Sequence, residues 1–307
     1  SMDDLHEGEV LIRVDYSSLN YKDALSATGN NGVTRKYPHS PGIDAAGVVA
    51  ESSNDDFKRG DPVLVTGYDL GMNTAGGFGE FIRVPSEWVV PLPANLSARE
   101  SMIYGTAGFT AALSVHKLER FGIQPDMGPV LVTGATGGVG SVALSLLAKD
   151  GYHVVAATGK ESEKAFLTSL GAAEVIDRKE TRDVADRPLL KGRWAGVVDT
   201  VGGDILAAGI KSTMSHGAVT CCGNVVSGEL KLTVFRFMIR GVALLGVDSA
   251  NTGRETRLTL WKKLASDWKL PHLDQLCREI TLDELEAHIG LILEGKLKGR
   301  TVVKHVR

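Results

Sequence analysis

The stretch that decides the fold runs from Pro129 to Ala148 and reads PVLVTGATGGVGSVALSLLA. It consists of an apolar strand, a glycine-rich turn and an amphipathic helix. Such a turn lets the backbone approach a pyrophosphate closely, because side chains are missing and the helix begins with free N–H groups and a positive dipole end. The flanking strand and helix favour a dinucleotide site over a simple turn. The predicted cofactor contacts in this turn are Ala135, Thr136, Gly137, Gly138, Val139 and Gly140.

A second apolar strand, Tyr152 to Thr158, follows that helix and should end beside the adenosine ribose. No carboxylate ends this strand to receive a ribose 2′-hydroxyl, whereas Lys160 and Lys164 could bind a 2′-phosphate. The pattern therefore predicts NADPH rather than NADH. The alternative is that both lysines are solvated helix residues whose positive field Glu161 and Glu163 partly dilute. The predicted cofactor contacts here are Thr158, Gly159 and Lys160.

Strand and helix patterns alternate from about Pro129 to Gly246, which predicts a doubly wound parallel sheet. The expected strands are Val130–Thr133, His153–Ala157, Glu174–Ile176, Gly196–Asp199, Ala218–Cys222 and Ala243–Leu245. Ligands of open α/β sheets bind at the carboxyl ends of the strands. Gly223 and Asn224 follow one such end and are predicted to contact the cofactor, and Asp199 is expected to end its strand in a structural role.

The first hundred residues contain short alternating segments typical of a β-rich, barrel-like domain. Ser97, followed three residues later by Glu100, predicts the start of a helix that carries the chain between domains. A polar helix is expected over Arg254 to Trp268, and the chain ends in a strand-like Arg300 to Lys304.

The composition of the 307 residues agrees with a cytosolic enzyme, and nothing in it indicates a nucleic-acid-binding surface. The chain is 43% hydrophobic and carries a formal net charge of −3. No apolar run reaches the roughly 20 residues that cross a bilayer, and no signal peptide is recognisable. Cys221, Cys222 and Cys277 have no metal-type spacing and are expected to be thiols, so a cytoplasmic location is predicted.

Several motifs together resemble one family over the whole chain. They are SLNYKDA at 18–24, PGIDAAG at 41–47, GTAG at 105–108, the glycine turn, DTVG at 199–202 and GVDS at 246–249. The chain is similar to the zinc-independent medium-chain dehydrogenases/reductases, in the quinone oxidoreductase branch that includes the acrylyl-CoA reductases. The resemblance implies an α/β fold with a GroES-like β-rich substrate domain at 1–103, a Rossmann NADPH-binding domain at 104–246, and a return to the substrate domain at 247–307.

The sequence departs from the family pattern in two ways. Family members usually begin with another strand pair, which is expected to be missing before Leu5, and Ser1-Met2 is interpreted as an appended remnant. Zinc-dependent relatives use a cysteine near the position of Asn20 and a histidine at that of Ile43, besides a four-cysteine lobe. Because those ligand types are missing here, no metal site is expected.

The resemblance also places residues at a cleft between the domains. Tyr21 is the candidate cofactor or substrate contact and proton donor, with Asn20 and Lys22 as catalytic partners. Asp23 is expected to be a turn or cap residue, and Tyr37 is the second candidate proton donor. The remaining predicted cofactor contacts are Thr106 and Ser249, the latter for the nicotinamide carboxamide.

The function that follows is NADPH-dependent reduction of a conjugated carbon–carbon double bond, in acrylyl-CoA or another short 2-enoyl-CoA. This reaction needs only donors aimed at the carbonyl oxygen and a proton source. A quinone or enone oxidoreductase is the alternative enzyme, and an NADPH-binding protein with incidental turnover is the non-enzymatic alternative. The partners expected are a small-molecule substrate and a second copy of the chain in a homodimer, paired at the apolar segment Val242 to Leu245. Basic residues that could rim a CoA site are Arg35, Lys36, Arg236, Arg240 and Arg254.

Overall fold

The computed structural model describes residues 5–183 and 190–306. The chain divides into two compact units: one joins Ser1–Phe109 to Ser249–Arg307, and the other is Thr110–Asp248. The expectations on Ser1-Met2 and on strands before Leu5 fall outside the described residues.

Strands and helices are numbered here in chain order. The strands are β1 (Val10–Leu19), β2 (Asp44–Ser52), β3 (Pro62–Thr66), β4 (Phe81–Val84), β5 (Val90–Pro91), β6 (Val130–Val132), β7 (Val154–Thr158), β8 (Glu174–Asp177), β9 (Trp194–Asp199), β10 (Thr213–Cys221), β11 (Ala243–Gly246), β12 (Cys277–Thr281) and β13 (Arg300–Lys304). The helices are α1 (Tyr21–Ala27), α2 (Ala98–Phe121), α3 (Gly138–Lys149), α4 (Lys164–Ser169), α5 (Gly203–Lys211), α6 (Phe235–Arg240), α7 (Arg254–Leu264), α8 (Leu273–Leu276) and α9 (Leu285–Leu293).

The first unit is built on a curled sheet, which confirms the predicted β-rich domain. Its strands lie in the order β12-β13-β1-β2-β3-β5, and β4 also pairs with β1. The antiparallel register of β1 against β2 shifts twice, between Leu11 and Ile12 and between Val14 and Tyr16. Such irregularities bend a strand and increase its twist. The alternating side chains Val10, Ile12 and Val14 are buried in an aliphatic core with residues of β3 and β4.

Helix α2 begins as the sequence predicted and is bent at a glycine. The Ser97 N–H donates to Glu100 Oε2 at 2.8 Å, and the Glu100 N–H donates to Ser97 Oγ at 3.1 Å. Gly105 lies in this helix with φ +51° and ψ −158°, so two helical segments meet there. Only glycine adopts such a conformation readily. The boundary between the two units falls after Phe109, inside the second segment.

The second unit is a six-stranded parallel sheet, as predicted from the alternating pattern. The strand order is β11-β10-β9-β6-β7-β8, so the chain moves outward from β6 in one direction and later returns to place β9 on its other side. The central strands bury Leu131, Val155, Val197 and Val219. The carboxyl ends of β6 and β9 form the switch point, where doubly wound sheets bind their ligands.

Two predicted boundaries are wrong by four residues or more. Strand β10 begins at Thr213, five residues before the predicted Ala218, because Thr213 already pairs with Trp194 of β9. Helix α7 ends at Leu264, four residues before the predicted Trp268. The Lys263 carbonyl accepts the N–H groups of both Ser266 (3.0 Å) and Trp268 (2.9 Å), which closes the helix in a tight final turn. In the part of the chain that is described, none of the helices has the length and apolar composition that crossing a membrane requires.

Candidate functional site

The glycine turn between β6 and α3 leaves its backbone open at the carboxyl edge of the parallel sheet. Gly137 precedes the first residue of α3 and is half-exposed with Gly138 and Val139, whereas Ala135 and Thr136 are buried beneath the turn. A Cβ on Gly140 would lie 2.8 Å from the Cα of Ala135, so this position holds the helix against the turn. The turn therefore presents N–H groups at the start of a twelve-residue helix, where an anionic pyrophosphate fits.

The end of β7 lies beside this turn. The Ala135 N–H donates to the Ala157 carbonyl at 3.2 Å, and the Lys160 N–H donates to Thr158 Oγ1 at 3.0 Å. Thr158 is buried, Gly159 is exposed and Lys160 is half-buried. Lys164 is exposed at the first position of α4. Thr158, Gly159 and Lys160 thus share one edge of the sheet with the glycine turn.

Asp199 ends β9 in the structural role expected for it. Its buried carboxylate accepts hydrogen bonds from Thr133 Oγ1 and from the Gly202 N–H, both at 2.8 Å. Burial raises the pKa of this carboxyl. Gly223 lies shortly after the end of β10 and packs against the backbone of Thr200, since an added Cβ would lie 2.6 Å from the Thr200 carbonyl carbon. Asn224, the next residue, is exposed. Both predicted residues therefore lie at the same carboxyl edge as the glycine turn.

The first unit contains a buried polar cluster that is centred on Asp44. The Asp44 carboxylate accepts hydrogen bonds from Ser18 Oγ at 2.6 Å and from Asn20 Nδ2 at 2.7 Å. It also accepts from the Thr106 hydroxyl at 2.6 Å and from the Thr106 N–H at 2.9 Å. Because Thr106 opens the second segment of α2, the carboxylate caps the positive end of that helical segment. Thr106 is thereby fixed by Asp44.

Arg300 supplies the positive charge of this cluster. Its guanidinium lies 3.7 Å from the Asp44 carboxylate and donates to Ser18 Oγ at 2.8 Å and to Asn20 Oδ1 at 3.1 Å. Both charged side chains are buried, and burial lowers the pKa of Arg300. Asn20 is therefore held between an acceptor and a donor, with its amide fully oriented.

Asp23 is the second carboxyl of the cluster. It accepts the Asn20 N–H at 2.7 Å and the Ile43 N–H at 2.8 Å, which confirms the predicted capping role at the start of α1. Burial and the nearby Asp44 charge raise the pKa of Asp23 to about 7, although these N–H donors oppose the shift. The sequence did not indicate that this cap residue would be completely buried.

The cluster sets the position of Tyr21 and Lys22. Tyr21 is the first residue of α1 and is 36% exposed, and Lys22 is half-buried. Because Asn20 and Asp23 fix the backbone on either side, these two side chains project from a rigid start of the helix. Tyr37 is also exposed, but its hydroxyl donates to the Ser26 carbonyl at 2.7 Å.

Ser249 is held by a residue that the sequence did not single out. Arg257 is buried between the rings of Tyr68 and Phe109, 4.3 and 4.8 Å from their centroids. Its guanidinium donates to the carbonyls of Ser249 at 2.9 Å and of Ala250 at 3.0 Å. The backbone at the predicted carboxamide contact is thus anchored within the first unit.

The predicted site residues therefore form two groups. The glycine turn, Thr158 to Lys160 and Gly223-Asn224 lie along one sheet edge of the second unit. Asn20, Tyr21, Lys22, Thr106 and Ser249 belong to the first unit. Their roles in binding or chemistry stay predictions.

Comparison with known families matches both units. Residues 6–94 match the alcohol dehydrogenase GroES-like domain, and residues 138–266 match the zinc-binding dehydrogenase family. A putative quinone oxidoreductase of Bacillus subtilis, YhfP, is 46% identical over 305 residues, which cover 99% of this chain and 92% of the relative. The chain belongs to the quinone oxidoreductase and acrylyl-CoA reductase branch of the medium-chain dehydrogenases/reductases.

Other members of this branch are equally similar. The acrylyl-CoA reductase AcuI of Ruegeria pomeroyi is 45% identical over 304 residues, covering 99% of this chain and 92% of the relative. The Salmonella enterica yhdH oxidoreductase, solved in complex with NADP, superposes with a TM-score of 0.97 at 44% identity, covering 100% of this chain and 94% of that one. The Bacillus subtilis yhfP structure with NAD bound has a TM-score of 0.96 at 46% identity, covering 99% and 93%.

The positions at which zinc-dependent family members hold their metal carry other residue types here. Asn20 is bonded within the Asp44 cluster, and Ile43 is an apolar side chain only 3% exposed. Within residues 5–183 and 190–306, no group of three His, Cys, Asp or Glu side chains is placed to hold a metal ion.

Three predicted candidates for a basic CoA rim form hydrogen bonds within the fold. Arg240 donates to the Thr213 carbonyl at 3.2 Å. Arg236 is completely buried and donates to the Leu190 carbonyl at 2.6 Å. Arg254 donates to the carbonyls of Glu87 and Val89 at 3.1 and 2.9 Å. The expectation for Arg236 is wrong, because a side chain without exposed surface cannot line a rim.

Proposed function

We propose that this protein uses NADPH to reduce a conjugated carbon–carbon double bond, with acrylyl-CoA or another short 2-enoyl-CoA as substrate. The observation that carries the proposal is the identity of 45% over 304 residues with an acrylyl-CoA reductase. The open glycine turn supports the cofactor assignment, because its half-exposed backbone at the start of α3 suits a pyrophosphate. The NADP complex of the Salmonella relative favours NADPH.

Bound NADPH supplies a hydride to the β-carbon of the substrate. The chain must then stabilise negative charge on the thioester oxygen and deliver a proton to the α-carbon. We assign proton delivery to Tyr21, with Lys22 as an electrostatic partner. Asn20 contributes by fixing the start of α1, since its amide is committed to Asp44 and Arg300. Thr106 and Ser249 are assigned to the nicotinamide end of the cofactor.

The alternative enzyme is a quinone or enone oxidoreductase. It is favoured by the name of the Bacillus relative, which is 46% identical and described as a putative quinone oxidoreductase. A protein that binds NADPH without physiological turnover is the third candidate.

A single set of assays separates the three. NADPH oxidation is followed by absorbance with acrylyl-CoA and then with a small quinone, and each assay is repeated with NADH. Turnover of the thioester with NADPH is the expected result. Reaction with the quinone alone would establish the alternative enzyme, and NADPH binding without either reaction would establish the binding protein.

The proton donor is tested with two matched variants. Tyr21→Phe should lower kcat by about 100-fold or more, the contribution typical of a positioned acid. Tyr37→Phe is the comparison variant, because it removes the hydroxyl of the second candidate, which is hydrogen-bonded to Ser26. Unchanged turnover in Tyr21→Phe together with a loss in Tyr37→Phe would transfer the role to Tyr37.

We also propose that the protein is a homodimer. Helix α6 exposes Phe235 (45%), Met238 (75%) and Ile239 (63%), and β11 lies at the edge of the parallel sheet. An apolar surface beside an unpaired strand edge favours association with a second copy of the sheet. Sedimentation at micromolar concentration should show a dimer, and Met238→Asp should shift it toward monomer. A wild-type monomer under these conditions would contradict the proposal.

A cytoplasmic location is the last part of the proposal. All three cysteines are free thiols and are half-buried. Cys221 and Cys222 lie in the second unit, and Cys277 lies in the first. Burial raises the pKa of Cys222 to about 12, so this thiol has little thiolate character. Fractionation of cells that express the protein should recover it with cytoplasmic markers.

A further inference from the structure

Arg257 on α7 bonds to two segments of the first unit that are distant in sequence. Its Nη1 donates to the Thr66 carbonyl at 2.8 Å and to the Thr66 hydroxyl at 3.1 Å, at the end of β3. Its Nη2 donates to the carbonyls of Ser249 at 2.9 Å and of Ala250 at 3.0 Å. One guanidinium therefore joins the end of β3 to the segment that contains the predicted carboxamide contact.

Aromatic rings restrict the orientation of this guanidinium. Arg257 is only 1% exposed, and its Cζ lies 4.3 Å from the ring centroid of Tyr68 and 4.8 Å from that of Phe109. Trp88 stacks on Tyr68, with 5.2 Å between the ring centroids and 2° between the ring planes. Because a guanidinium is planar and its donors form a rigid fork, these ring contacts fix the directions of its hydrogen bonds.

The backbone beside Ala250 is held in a conformation that side chains rarely adopt. Tyr68 has φ +52°, and its N–H donates at 3.1 Å to the same Ala250 carbonyl that accepts Arg257 Nη2. An added Cβ on Gly67 would lie 3.0 Å from the Cα of Ala250. A bulky residue with positive φ persists only where its surroundings hold it, and such positions cluster at functional sites. The position of Ala250 is thus set by both Tyr68 and Arg257.

We propose that Arg257 is a positioning residue for the nicotinamide end of the cofactor, acting through the backbone of Ser249 and Ala250. This inference rests on the proposed function, because it takes Ser249 as the contact of the nicotinamide carboxamide. A misplacement of about 1 Å can slow a reaction by about 100-fold, so a contact residue needs a backbone that is firmly held. A lysine at position 257 would keep the charge but could not reproduce the planar fork that bonds both segments.

The test compares ligands with and without a nicotinamide in the variant Arg257→Lys. NADPH and 2′,5′-ADP, which represents the adenosine end of NADPH, are titrated by calorimetry into the wild-type chain and the variant. The variant should bind NADPH about 10-fold more weakly and 2′,5′-ADP within about twofold of the wild-type affinity, because only NADPH reaches the displaced segment. In turnover with acrylyl-CoA, kcat should fall by about 10- to 100-fold while the KM of the thioester changes by less than about threefold.

Lys263→Met is the matched control. Lys263 is a cation of the same helix that also lies over an aromatic ring, 3.8 Å from the centroid of Trp268. Neither residue is predicted to contact the cofactor, so this variant should keep both affinities and kcat within about twofold. Thermal unfolding of the two variants measures their cost in stability separately from binding.

Tyr68→Leu carries the same test if Arg257→Lys does not fold. Tyr68 is half-exposed, and leucine keeps the N–H that the Ala250 carbonyl accepts while removing the ring over the guanidinium. The affinity for NADPH should fall by about three- to tenfold, and the affinity for 2′,5′-ADP should stay unchanged.

The outcomes separate this inference from the proposed function. Equal losses of NADPH and 2′,5′-ADP affinity in Arg257→Lys would overturn the inference, as would a lower unfolding midpoint with unchanged NADPH affinity and kcat. The titrations decide the inference even where the wild-type chain does not reduce acrylyl-CoA. Absence of NADPH binding by the wild-type chain would instead contradict the proposed function.

Discussion

The glycine turn of the second unit and the Asp44 cluster of the first unit prepare a site by opposite means. The turn works through missing side chains: Gly137 and Gly138 are half-exposed, and the backbone itself is the group that we propose binds the cofactor. The cluster works through charged side chains, with Asp44 and Arg300 buried and hydrogen-bonded to their neighbours. A backbone site tolerates changes around it and fails when a Cβ is added, whereas a buried charge cluster fails when one partner is removed.

The largest effect is expected from breaking the cluster. Asp44→Asn removes the charge opposite Arg300 and one acceptor of the Thr106 N–H, leaving a buried guanidinium without its nearest counter-charge. The free energy of unfolding should fall by about 3–5 kcal/mol, measured by urea denaturation of the first unit's transition.

The control for that experiment is an exposed ion pair. Lys296 and Glu294 pair at the surface, with side chains 66% and 56% exposed, so Lys296→Ala should cost less than about 1 kcal/mol. Similar losses in the two variants would show that the Asp44 cluster is no more than another ion pair.

The second prediction concerns pH. Because the pKa of Asp23 is raised to about 7 in the folded chain and is near 3.8 otherwise, the folded state binds more protons between these values. Stability from this group should therefore be greatest at low pH and fall as pH rises from about 4 to about 7, by at most about 4 kcal/mol. Asp44 and Arg300 face the same cluster, and the Asp44 charge is one cause of the shift.

Urea denaturation at several pH values, compared between the wild-type chain and Asp23→Asn, measures this slope. His305 changes the pH dependence of stability with the opposite sign. Burial lowers the pKa of His305, so its contribution to the free energy of unfolding rises with pH. The difference between the two chains cancels that contribution. Parallel pH profiles would contradict the assignment to Asp23.

The third prediction tests the turn as a packing element. In Gly140→Ala the new Cβ would lie 2.8 Å from the Cα of Ala135, a contact that neither backbone can relieve without moving. The free energy of unfolding of the second unit should fall by about 1–3 kcal/mol, as overpacked substitutions do. Thermal unfolding without cofactor checks the loss, and an unchanged midpoint would contradict it.

The smallest effect on stability is expected one turn earlier. Gly137 has φ −78° and ψ 173°, a conformation open to any residue, and its Cβ would come 3.3 Å from the Gly134 carbonyl oxygen. Gly137→Ala should change stability by about 0.5 kcal/mol or less and still weaken NADPH binding by about tenfold, because the methyl group blocks the pyrophosphate. Calorimetric titration of NADPH into both glycine variants separates packing from binding. Normal NADPH affinity in Gly137→Ala would place the pyrophosphate elsewhere.

The parallel sheet and the turn were predictable because their signals are local. Apolar runs, the glycine turn and the Ser97–Glu100 capping box each lie within a few residues, and all three formed as expected. The end of α7 was missed because Lys263 accepts two hydrogen bonds after Leu264, a detail of the closing turn that periodicity does not encode.

The Asp44 cluster was not predictable in the same way. Ser18, Asn20, Asp44, Thr106 and Arg300 converge from four separated segments. The family motifs marked three of these segments, but no spacing connects Arg300 to Asn20. Arg257 was missed for the same reason, since its role depends on Tyr68 and Phe109 being folded around it.

The sequence by itself determined the two kinds of domain, the position of the dinucleotide turn and the family, because each is written in contiguous residues with a fixed period or spacing. The tertiary structure alone decided which side chains are held and which are left to bind: it buried Asp44 and Arg300 together, oriented Asn20, and placed Arg257 against Tyr68 and Phe109. The physical reason is that burial and pairing of charges depend on distances across strands, which the order of residues along the chain does not specify.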